Sequence, residues 1–389
     1  MARHGAGDLE AAERLYRRVA ASWPRDANAH NLLGVVSRQR GDARGALRHT
    51  QRALALQPDA PVFLANHGGA LAEAGELREA VGFLRAALRR RPEDATALRN
   101  LGQALAALGD PRAALEPLER AVALAPDAVE PRLALAHARR EAGEAEGAAA
   151  AAEAALALAA PDTALAAQAR FLLAALGRAA VPDRAPAGYV RDLFDGFAER
   201  FDADLAGELG YRTPELLAAA LRDSGAPTGQ GRGLDLGCGT GLSGVALAPL
   251  VRRLEGLDLS PRMLAQARRR GVYAVLHLAD LLEWLPAHPG AFELVAAADV
   301  LNYLGDLRPA LAGIAATLRP GGLAAFSLEV GEGDAPFALS ETMRYRHDPG
   351  HAATLAADAF ELVAQPEAIL RQERGAPVAG VLMVLRRRG

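Results

Sequence analysis

The chain has 389 residues, of which 51% are hydrophobic and 23% are charged, and its net charge is −3. This length exceeds one ordinary compact domain, so two or more domains are expected, and the composition excludes a disordered chain. The small negative charge gives no reason to expect a nucleic acid or an anionic membrane as a partner.

All 44 basic residues are arginines, and the only cysteine is Cys238. The lack of lysine excludes Schiff-base chemistry and a phosphate-binding loop that depends on lysine. A single cysteine excludes an intramolecular disulfide and a cysteine-based zinc cluster, and no metal site is predicted. The N-terminus lacks the apolar stretch of a signal peptide, so a cytoplasmic location is the default expectation.

Several residue types recur every 34 residues in the first half of the chain. A glycine followed by an acid occurs at Gly7-Asp8, Gly41-Asp42, Gly75-Glu76, Gly109-Asp110 and Gly143-Glu144. The same interval separates Pro24, Pro58, Pro92 and Pro126, and also Gly34, Gly68 and Gly102, with Ala136 in the fourth place. The pattern predicts helices that end at a left-handed glycine and restart at the acid, with small residues where two helices approach closely.

These columns resemble the tetratricopeptide repeat. The predicted units are roughly 27–60, 61–94, 95–128 and 129–161, after half a unit at 7–23 and before a capping helix at 163–177. The half unit means that the protein begins with a lone helix or that its true start lies upstream. Such repeats stack into a superhelix with a groove, which implies a protein or peptide partner there, with Asn66 and Asn100 facing it. A spacer or a dimerisation device is the alternative.

A second domain is predicted at 189–389, after a repeat domain at 1–178 and a proline- and glycine-rich linker at 179–188. The predicted strands are 233–237, 252–260, 272–280, 292–300 and 323–330, and a final strand pair lies at 360–375 and 377–388. Helices are predicted between them at 240–250, 261–271, 306–322 and 350–359. This alternation predicts a mostly parallel sheet with both faces covered, whose ligands bind beyond the carboxyl ends of the strands.

The stretch GRGLDLGCGTGLSG, residues 231–244, contains a glycine-rich loop directly after the first predicted strand. Gly237 and Gly239 match the first two glycines of a dinucleotide loop, but Leu242 stands where the third is needed. The glycines instead follow Asp235 at every second position, as Gly237, Gly239 and Gly241. The loop therefore favours a ligand other than a dinucleotide.

This spacing resembles motif I of the class I S-adenosylmethionine-dependent methyltransferases. The resemblance implies that Asp258 binds both ribose hydroxyls and that Asp280 accepts the adenine amino group, while a helix N-cap is the alternative for each acid. The predicted cofactor-binding residues are Asp235, Gly237, Cys238, Gly239, Gly241, Asp258, Leu259, Met263, Asp280, Leu281 and Asp299. The implied sheet order is 3-2-1-4-5-7-6, with the last strand antiparallel.

The whole arrangement is similar to bacterial methyltransferases that carry tetratricopeptide repeats. This implies a multidomain protein, in which an all-α repeat superhelix precedes an α/β, Rossmann-like domain of seven strands. It also implies that helices around Phe201 and Tyr211 cover the cofactor. The RFD element at 200–202 is similar to a YD element of the family, with Phe201 in the place of the tyrosine.

Methyl transfer needs a nucleophile held in line with the sulfonium methyl group and shielded from water. Candidate bases or acceptor contacts are Asp299, Tyr303 and His347, with Asn302, Tyr345 and His351 as further candidates. The stretch 343–351, which joins the fifth strand to the next helix and contains Tyr345 and both histidines, is predicted as a loop that contacts the substrate or lies on the polar surface. The fourth strand lacks the Asn/Asp-Pro-Pro-aromatic signature, which argues against adenine or glutamine amino groups as acceptors.

Three functions follow from these observations. The protein is an active methyltransferase whose repeats recruit a protein substrate or a complex, or it methylates a small molecule and uses the repeats for assembly. In the third, the methyltransferase domain is inactive and the protein is a cofactor-binding scaffold. The complete glycine motif with both acids favours retention of cofactor binding.

Overall fold

The computed structural model describes residues 4, 7–199, 201–202, 210–226, 228–331, 335–373 and 375–389. The chain divides into two compact units, Met1–Leu173 and Ala174–Gly389. Arg200 of the RFD element and residues 203–209, where helices around Phe201 and Tyr211 are expected, lie outside the described residues. Within the described ranges, no helix has both the length and the apolar character that a membrane crossing requires.

The first unit consists of helix pairs joined by short turns, as the 34-residue interval predicts. The helices described are Leu9–Ser22, Ala27–Gln39, Ala43–Leu56, Pro61–Glu73, Leu77–Arg90, Ala95–Ala107, Pro111–Leu124, Val129–Glu141, Ala145–Leu158 and Ala164–Ala175. They match the four predicted units, with the half unit before them and the capping helix after them. The first helices of successive units also contact one another, so they form one continuous layer.

The periodic glycines and acids make the turns within each pair. The five glycines have φ between 76° and 85°, where a side chain would be strained. Asp42 and Asp110 each accept a hydrogen bond from the amide three residues on, at 2.9 and 3.0 Å. Glu76 and Glu144, with longer side chains, make no such bond. Aspartate therefore caps the following helix directly, whereas glutamate contributes only its charge.

The small residue of each unit lies where the two helices of a pair touch. A Cβ atom at Gly102 would lie 2.4 Å from Leu118 Cγ, so the helices Ala95–Ala107 and Pro111–Leu124 leave no room for a side chain. Gly82 lies exposed within Leu77–Arg90, and a Cβ atom there would meet nothing within 4 Å. The two helical glycines therefore differ only in their surroundings.

The substitution Gly102→Ala is expected to lower the free energy of unfolding of the repeats by about 1–3 kcal/mol through overpacking. The matched control Gly82→Ala is expected to raise it by about 0.5–1 kcal/mol, because alanine favours the helix over glycine. Urea denaturation of the full chain, followed by circular dichroism, measures both. Stabilisation by both substitutions would contradict the close packing at Gly102.

The second unit contains ten described strands. They are β1 (Arg232–Leu236), β2 (Arg253–Asp258), β3 (Val275–Leu278), β4 (Phe292–Ala297), β5 (Leu318–Glu329), β6 (Phe337–Leu339), β7 (Tyr345–His347), β8 (Phe360–Ala364), β9 (Glu367–Glu373) and β10 (Ala376–Arg387). Seven form a path in the order β3-β2-β1-β4-β5-β10-β8. Strands β1 to β5 pair in parallel and β10 is antiparallel to β5, which confirms the implied order.

Three details of the sheet differ from the prediction. Residues 318–322, predicted as the end of the helix 306–322, form the start of β5, where Leu318 pairs with Phe292 of β4. The run 360–375, predicted as one strand, forms β8 and β9, which both pair with β10 and raise the main sheet to eight strands. The break falls at Pro366, which has no N–H group for a strand ladder. The stretch after β5, predicted as a loop, contains the hairpin β6–β7, with Phe337 opposite His347.

Helices of the second unit cover both faces of the sheet. They are Ala187–Phe197, Thr213–Asp223, Leu242–Leu247, Pro261–Arg270, Leu281–Trp284, Arg308–Thr317 and Pro349–Ala356, with 3-10 turns at Ala248–Leu250, Leu285–Ala287 and Leu301–Tyr303. Two apolar cores result, because neighbouring strand residues point to opposite faces. Leu294 packs in one core and Val295 in the other. Apolar side chains therefore fill both faces of the sheet, and the strand ends are the place where a ligand can bind.

The predicted linker, 179–188, makes polar contacts with the rest of the second unit. Arg184 Nη2 lies 2.5 Å from Asp280 Oδ2. The Tyr345 hydroxyl donates a hydrogen bond to the Pro182 carbonyl at 2.6 Å. This segment therefore packs on the compact unit that follows it, and the domain bounds stay a prediction.

Candidate functional site

The glycine-rich loop follows the carboxyl end of β1. Gly237, Gly239 and Gly241 have φ values of 58°, 53° and 91°, in the region that favours glycine. A Cβ atom at Gly237 would also lie 2.5 Å from Val300 Cγ2, just after β4. Cys238 between the glycines is 2% exposed, and burial raises the pKa of its thiol well above the usual range. The loop therefore presents bare backbone beside the end of β4, and Cys238 packs as a small apolar residue.

Asp235 is fully buried beside this loop. Its Oδ2 accepts hydrogen bonds from Ser243 Oγ and Tyr273 Oη, both at 2.6 Å. Its Oδ1 has no hydrogen-bond partner in the described part of the chain. Burial raises the pKa of Asp235 to about 7, although the two hydrogen bonds oppose the change. One buried acceptor atom is thus left open at the end of β1.

Asp258 ends β2 and holds the loop from the other side. Its Oδ2 accepts a hydrogen bond from the Gly239 amide and its Oδ1 accepts one from the Ser260 amide, both at 2.8 Å. Burial raises the pKa of Asp258 to about 6, while these backbone bonds lower it. The carboxylate therefore connects the glycine loop to the turn before the helix Pro261–Arg270.

Asp280 follows β3 and makes two polar contacts. Its Oδ1 accepts a hydrogen bond from the Leu282 amide at 2.9 Å, which caps the helix Leu281–Trp284. Its Oδ2 pairs with Arg184. The helix-cap alternative thus describes Asp280 in this structure, and its contact with adenine stays a prediction.

The other predicted cofactor contacts lie next to these acids. Leu259 is half-buried between Asp258 and the helix cap Ser260, and Leu281 is half-buried at the start of its helix. Met263 is fully buried, and its amide donates to Ser260 Oγ at 3.0 Å. Met263 therefore packs within the fold, whereas the two leucines retain exposed surface.

Asp299 occupies a strained turn after β4. Its φ is 54°, which is rare for a residue other than glycine. The Asp299 amide donates to Ser327 Oγ at 2.8 Å, and that hydroxyl donates to Asp299 Oδ1 at 2.7 Å. Tyr211 lies nearby, since burial together with the charges of Asp299 and Asp235 raises the pKa of its hydroxyl well above the usual value. The strained turn is thus held in place by β5.

Arg371 on β9 reaches the same turn. The side chain is 4% exposed, and its Nη2 donates to Glu329 Oε1 at 2.7 Å and to Glu373 Oε2 at 3.0 Å. Its Nη1 lies 3.8 Å from Asp299 Oδ2 and has no hydrogen-bond partner among the described residues. Asn302 Nδ2 donates to the same Glu329 oxygen at 2.9 Å. We call these five residues the buried polar cluster.

Aromatic rings connect the glycine loop to the buried polar cluster. Phe201 Cε1 lies 3.9 Å from the Cβ position of Gly239. The ring centroids of Phe194 and Phe201 are 6.0 Å apart, and those of Phe194 and Tyr303 are 5.5 Å apart, both edge to face. Tyr303 is 7% exposed and hydrogen-bonds Arg344. Three rings in edge-to-face contact therefore extend from the glycine loop to Tyr303, which follows β4.

His347, the third catalytic candidate, has a different environment. It is buried on β7, and its Nε2 donates to the Leu304 carbonyl at 2.8 Å. Burial lowers the pKa of His347, so the ring is neutral near pH 7. It lines a cavity of about 250 Å³ with Phe337 and His351. Among the described residues, no predicted cofactor contact lines this cavity.

Known families match both halves of the chain. Residues 234–322 match a model described as a methyltransferase domain. Residues 2–61 and 66–129 match a model described as a tetratricopeptide repeat. The chain carries tetratricopeptide repeats and a class I methyltransferase domain.

Curated relatives match the methyltransferase domain over part of their length. A ubiquinone biosynthesis O-methyltransferase of Sodalis glossinidius is 33% identical over 141 residues, which are 34% of this chain and 56% of that protein. Human methyltransferase-like protein 27 is 40% identical over 105 residues, 26% of this chain and 42% of that protein. The chain therefore spans about half the length of these relatives.

A solved structure matches the same domain. It is the N-methyltransferase NodS from Bradyrhizobium japonicum WM9 with S-adenosyl-L-homocysteine, which is 23% identical and has a TM-score of 0.36. The match covers 45% of this chain and 86% of that chain.

S-adenosylmethionine is the cofactor of class I methyltransferase domains, and it supplies a methyl group on a sulfonium. The residues of the methyltransferase domain fit such a group. The loop from Gly237 to Gly241 offers backbone without side chains at its three left-handed glycines, and Asp235 Oδ1 is a buried oxygen without a hydrogen-bond partner in the described part of the chain. Asp258 supplies a carboxylate beside the same loop.

The structure adds residues of the methyltransferase domain that the sequence analysis did not select. Tyr273, just before β3, donates a hydrogen bond to Asp235. Asp195 accepts a hydrogen bond from Ser260 Oγ at 2.5 Å. Arg371 and Glu329 meet across separate strands. No local motif marks these residues, because each acts through a partner distant in sequence.

The raised pKa of Asp235 predicts a pH-dependent stability of the methyltransferase domain. The folded state retains a proton up to about pH 7, whereas the unfolded chain releases it near 3.8. The free energy of unfolding should therefore fall as the pH rises through this range, by about 1.4 kcal/mol for each tenfold change in proton affinity. Asp235→Asn keeps an acceptor for Ser243 and Tyr273 without titrating, so a smaller fall is expected.

Thermal unfolding of both proteins between about pH 5 and about pH 8 measures this difference. The exposed control Asp223→Asn should keep the pH dependence of the wild type. Equal pH dependence in Asp235→Asn and the wild type would contradict the role of Asp235.

Proposed function

We propose that this protein transfers a methyl group from S-adenosylmethionine to an acceptor, and that its repeats recruit a protein partner or substrate. The observation that carries the proposal is the convergence of four strand ends. The glycine loop after β1 bonds Asp258 at the end of β2 and lies against Val300, which follows Asp299 after β4. Asp280 follows β3. This is the edge at which parallel sheets bind ligands.

The proposed roles follow from the chemistry of each group. Asp258 holds the ribose hydroxyls, because a carboxylate accepts two hydrogen bonds at once. Asp280 receives the adenine amino group after releasing or sharing Arg184. Phe201 and Phe194 cover the loop and exclude water, which strengthens the polar contacts beneath them.

We further propose that the acceptor atom is an oxygen. The Sodalis relative is named as an O-methyltransferase, so methyl transfer goes to oxygen in that protein. In this chain, the buried polar cluster at the end of β4 contains both a guanidinium donor and a carboxylate acceptor. These groups suit an oxygen nucleophile that must lose a proton.

The layer formed by the first helices of the repeats supports a role in peptide binding. Asn66 Nδ2 donates to Asn31 Oδ1 on the preceding first helix at 2.9 Å. A Cβ atom at Gly69 would lie 3.0 Å from Arg38 Nη1 and 3.2 Å from Asn100 Nδ2, so three successive first helices present polar groups together. Amide and guanidinium groups in such a row suit the backbone and carboxylates of an extended peptide.

The test uses the full chain, methyl-labelled S-adenosylmethionine and a bacterial extract divided into protein and small-molecule fractions. Label in the protein fraction is the expected result. Label only in small molecules would support the assembly role of the repeats instead. Binding of S-adenosylhomocysteine without transfer of label to either fraction would indicate an inactive scaffold.

A further inference from the structure

Arg371 carries a buried donor that the fold does not use. Its Nη2 makes two hydrogen bonds with carboxylates, whereas Nη1 makes none in the described part of the chain, although the side chain is 4% exposed. Leaving such a donor without a partner costs free energy that a ligand can recover. In the same cluster, Asn302 Oδ1 is a buried acceptor that also lacks a hydrogen-bond partner among the described residues.

The open donor faces a carboxylate across a gap. Arg371 Nη1 and Asp299 Oδ2 are 3.8 Å apart, which makes them an ion pair but is too far for a hydrogen bond. Thr213 Oγ1 makes a long contact with Asp299 Oδ2, at 3.4 Å. A group that accepts a hydrogen bond from Arg371 Nη1 and donates one to Asp299 Oδ2 would satisfy both atoms.

A hydroxyl group meets this requirement, because it both donates and accepts hydrogen bonds. A carboxylate has no proton to donate to Asp299, and an ammonium has no lone pair to accept from Arg371. The two residues thus favour a neutral group that both donates and accepts, because a carboxylate or an ammonium would leave a buried polar group unpaired. A neutral amine would also meet this requirement, and the choice of a hydroxyl follows from the oxygen acceptor of the proposed function.

The gap lies beside the proposed cofactor site. Val300 follows Asp299 directly and packs against Gly237 of the loop. Phe194, Phe201 and Tyr303 form a row of edge-to-face rings from the loop to the residue after Asn302 of the cluster, and the first two are only half-buried. Edge and face contacts with these rings suit a planar aromatic ligand.

We propose, resting on the proposed function, that Arg371 and Asp299 bind the acceptor hydroxyl and that this hydroxyl is carried on an aromatic ring. The hydroxyl oxygen forms the new bond to the methyl carbon, and the electron pair of the broken carbon–sulfur bond stays on sulfur, which becomes neutral. The hydroxyl proton passes to Asp299 Oδ2. Arg371 Nη1 donates to the oxygen and stabilises the negative charge that develops there.

The test is a fluorescence titration of the full chain, loaded with S-adenosylhomocysteine, with three matched probes. The probe 2-naphthol both donates and accepts, 2-methoxynaphthalene accepts only, and 2-naphthoate is anionic. We expect 2-naphthol to bind about tenfold more tightly than either analogue, as the loss of one buried hydrogen bond requires. Equal affinities, or no binding of 2-naphthol, would overturn the proposal and would favour a buried water in the gap.

The variant Arg371→Lys keeps the charge beside Glu329 but loses the second nitrogen of the fork. It is expected to bind 2-naphthol about tenfold more weakly and to keep its affinity for S-adenosylhomocysteine. The exposed arginine of β7 provides the control Arg346→Lys, which should bind as the wild type does. Unchanged 2-naphthol affinity in Arg371→Lys would also overturn the proposal.

The comparison of the three probes on the wild type requires no variant, so it decides the proposal even where Arg371→Lys does not fold. A wild-type chain that does not bind S-adenosylhomocysteine would overturn the proposed function instead. The same titration without S-adenosylhomocysteine would then still report whether Arg371 and Asp299 select a hydroxyl.

Discussion

Replacing Asp258 by alanine is expected to abolish measurable binding of S-adenosylhomocysteine. The carboxylate bonds the Gly239 amide at 2.8 Å, so its loss removes the proposed ribose contact and a support of the glycine loop together. Two hydrogen bonds to a charged group contribute about 3–6 kcal/mol, which corresponds to a loss of at least about 100-fold in affinity. Isothermal titration calorimetry on the full chain measures the effect.

Two further measurements interpret the result for Asp258. Asp258→Asn keeps the shape and one acceptor, so an intermediate loss is expected. Circular dichroism should show that the repeats remain folded, because their core lies in a separate compact unit. Because burial raises the pKa of Asp258 to about 6, wild-type affinity should also fall as the pH drops below that value. Unchanged affinity in Asp258→Ala would show that the cofactor site is assigned wrongly.

The substitution Gly237→Ala is expected to weaken binding of S-adenosylhomocysteine by about tenfold or more. Its φ of 58° strains any side chain, and the added Cβ atom would lie 2.5 Å from Val300 Cγ2. Strain alone costs about 1–2 kcal/mol, and the clash must push the loop away from the end of β4. Calorimetric titration of the variant measures the change.

Gly271→Ala is the matched control for Gly237→Ala. Gly271 ends the helix Pro261–Arg270 with φ of 69°, and a Cβ atom there would meet nothing within 4 Å. This variant shares the backbone strain without the clash, so its Tm should fall while its affinity for S-adenosylhomocysteine is kept. Equal affinity losses in both variants would show that strain, rather than the contact with Val300, controls the loop.

Sequence reasoning reached the repeats and the glycine loop because both depend on short-range interactions. The turn at Gly109 requires a positive φ, and Asp110 caps the next helix three residues on. Each of these effects acts within one turn of chain, so a repeated spacing is enough to recognise it. For the same reason the glycine spacing after Asp235 located the end of β1.

The functions of individual acids were less accessible to sequence reasoning. Asp280 follows a strand and precedes a helix, a position that suits a helix cap and a ligand contact equally. Its pairing with Arg184, 96 residues earlier, depends on how the segment before the domain folds back. No sequence pattern around Asp280 indicates that contact.

By itself, the sequence determined the two kinds of domain and the glycine-rich loop, since local backbone preferences and strand–helix alternation decide these. The order of the strands was implied by the resemblance to class I methyltransferases. Only the tertiary structure decided the buried polar cluster. Arg371 and Glu329 are 42 residues apart and meet because β10 pairs with both β5 and β9. The register of those pairings results from packing across the whole sheet. No local sequence pattern therefore indicates that an arginine on β9 reaches the carboxyl end of β4.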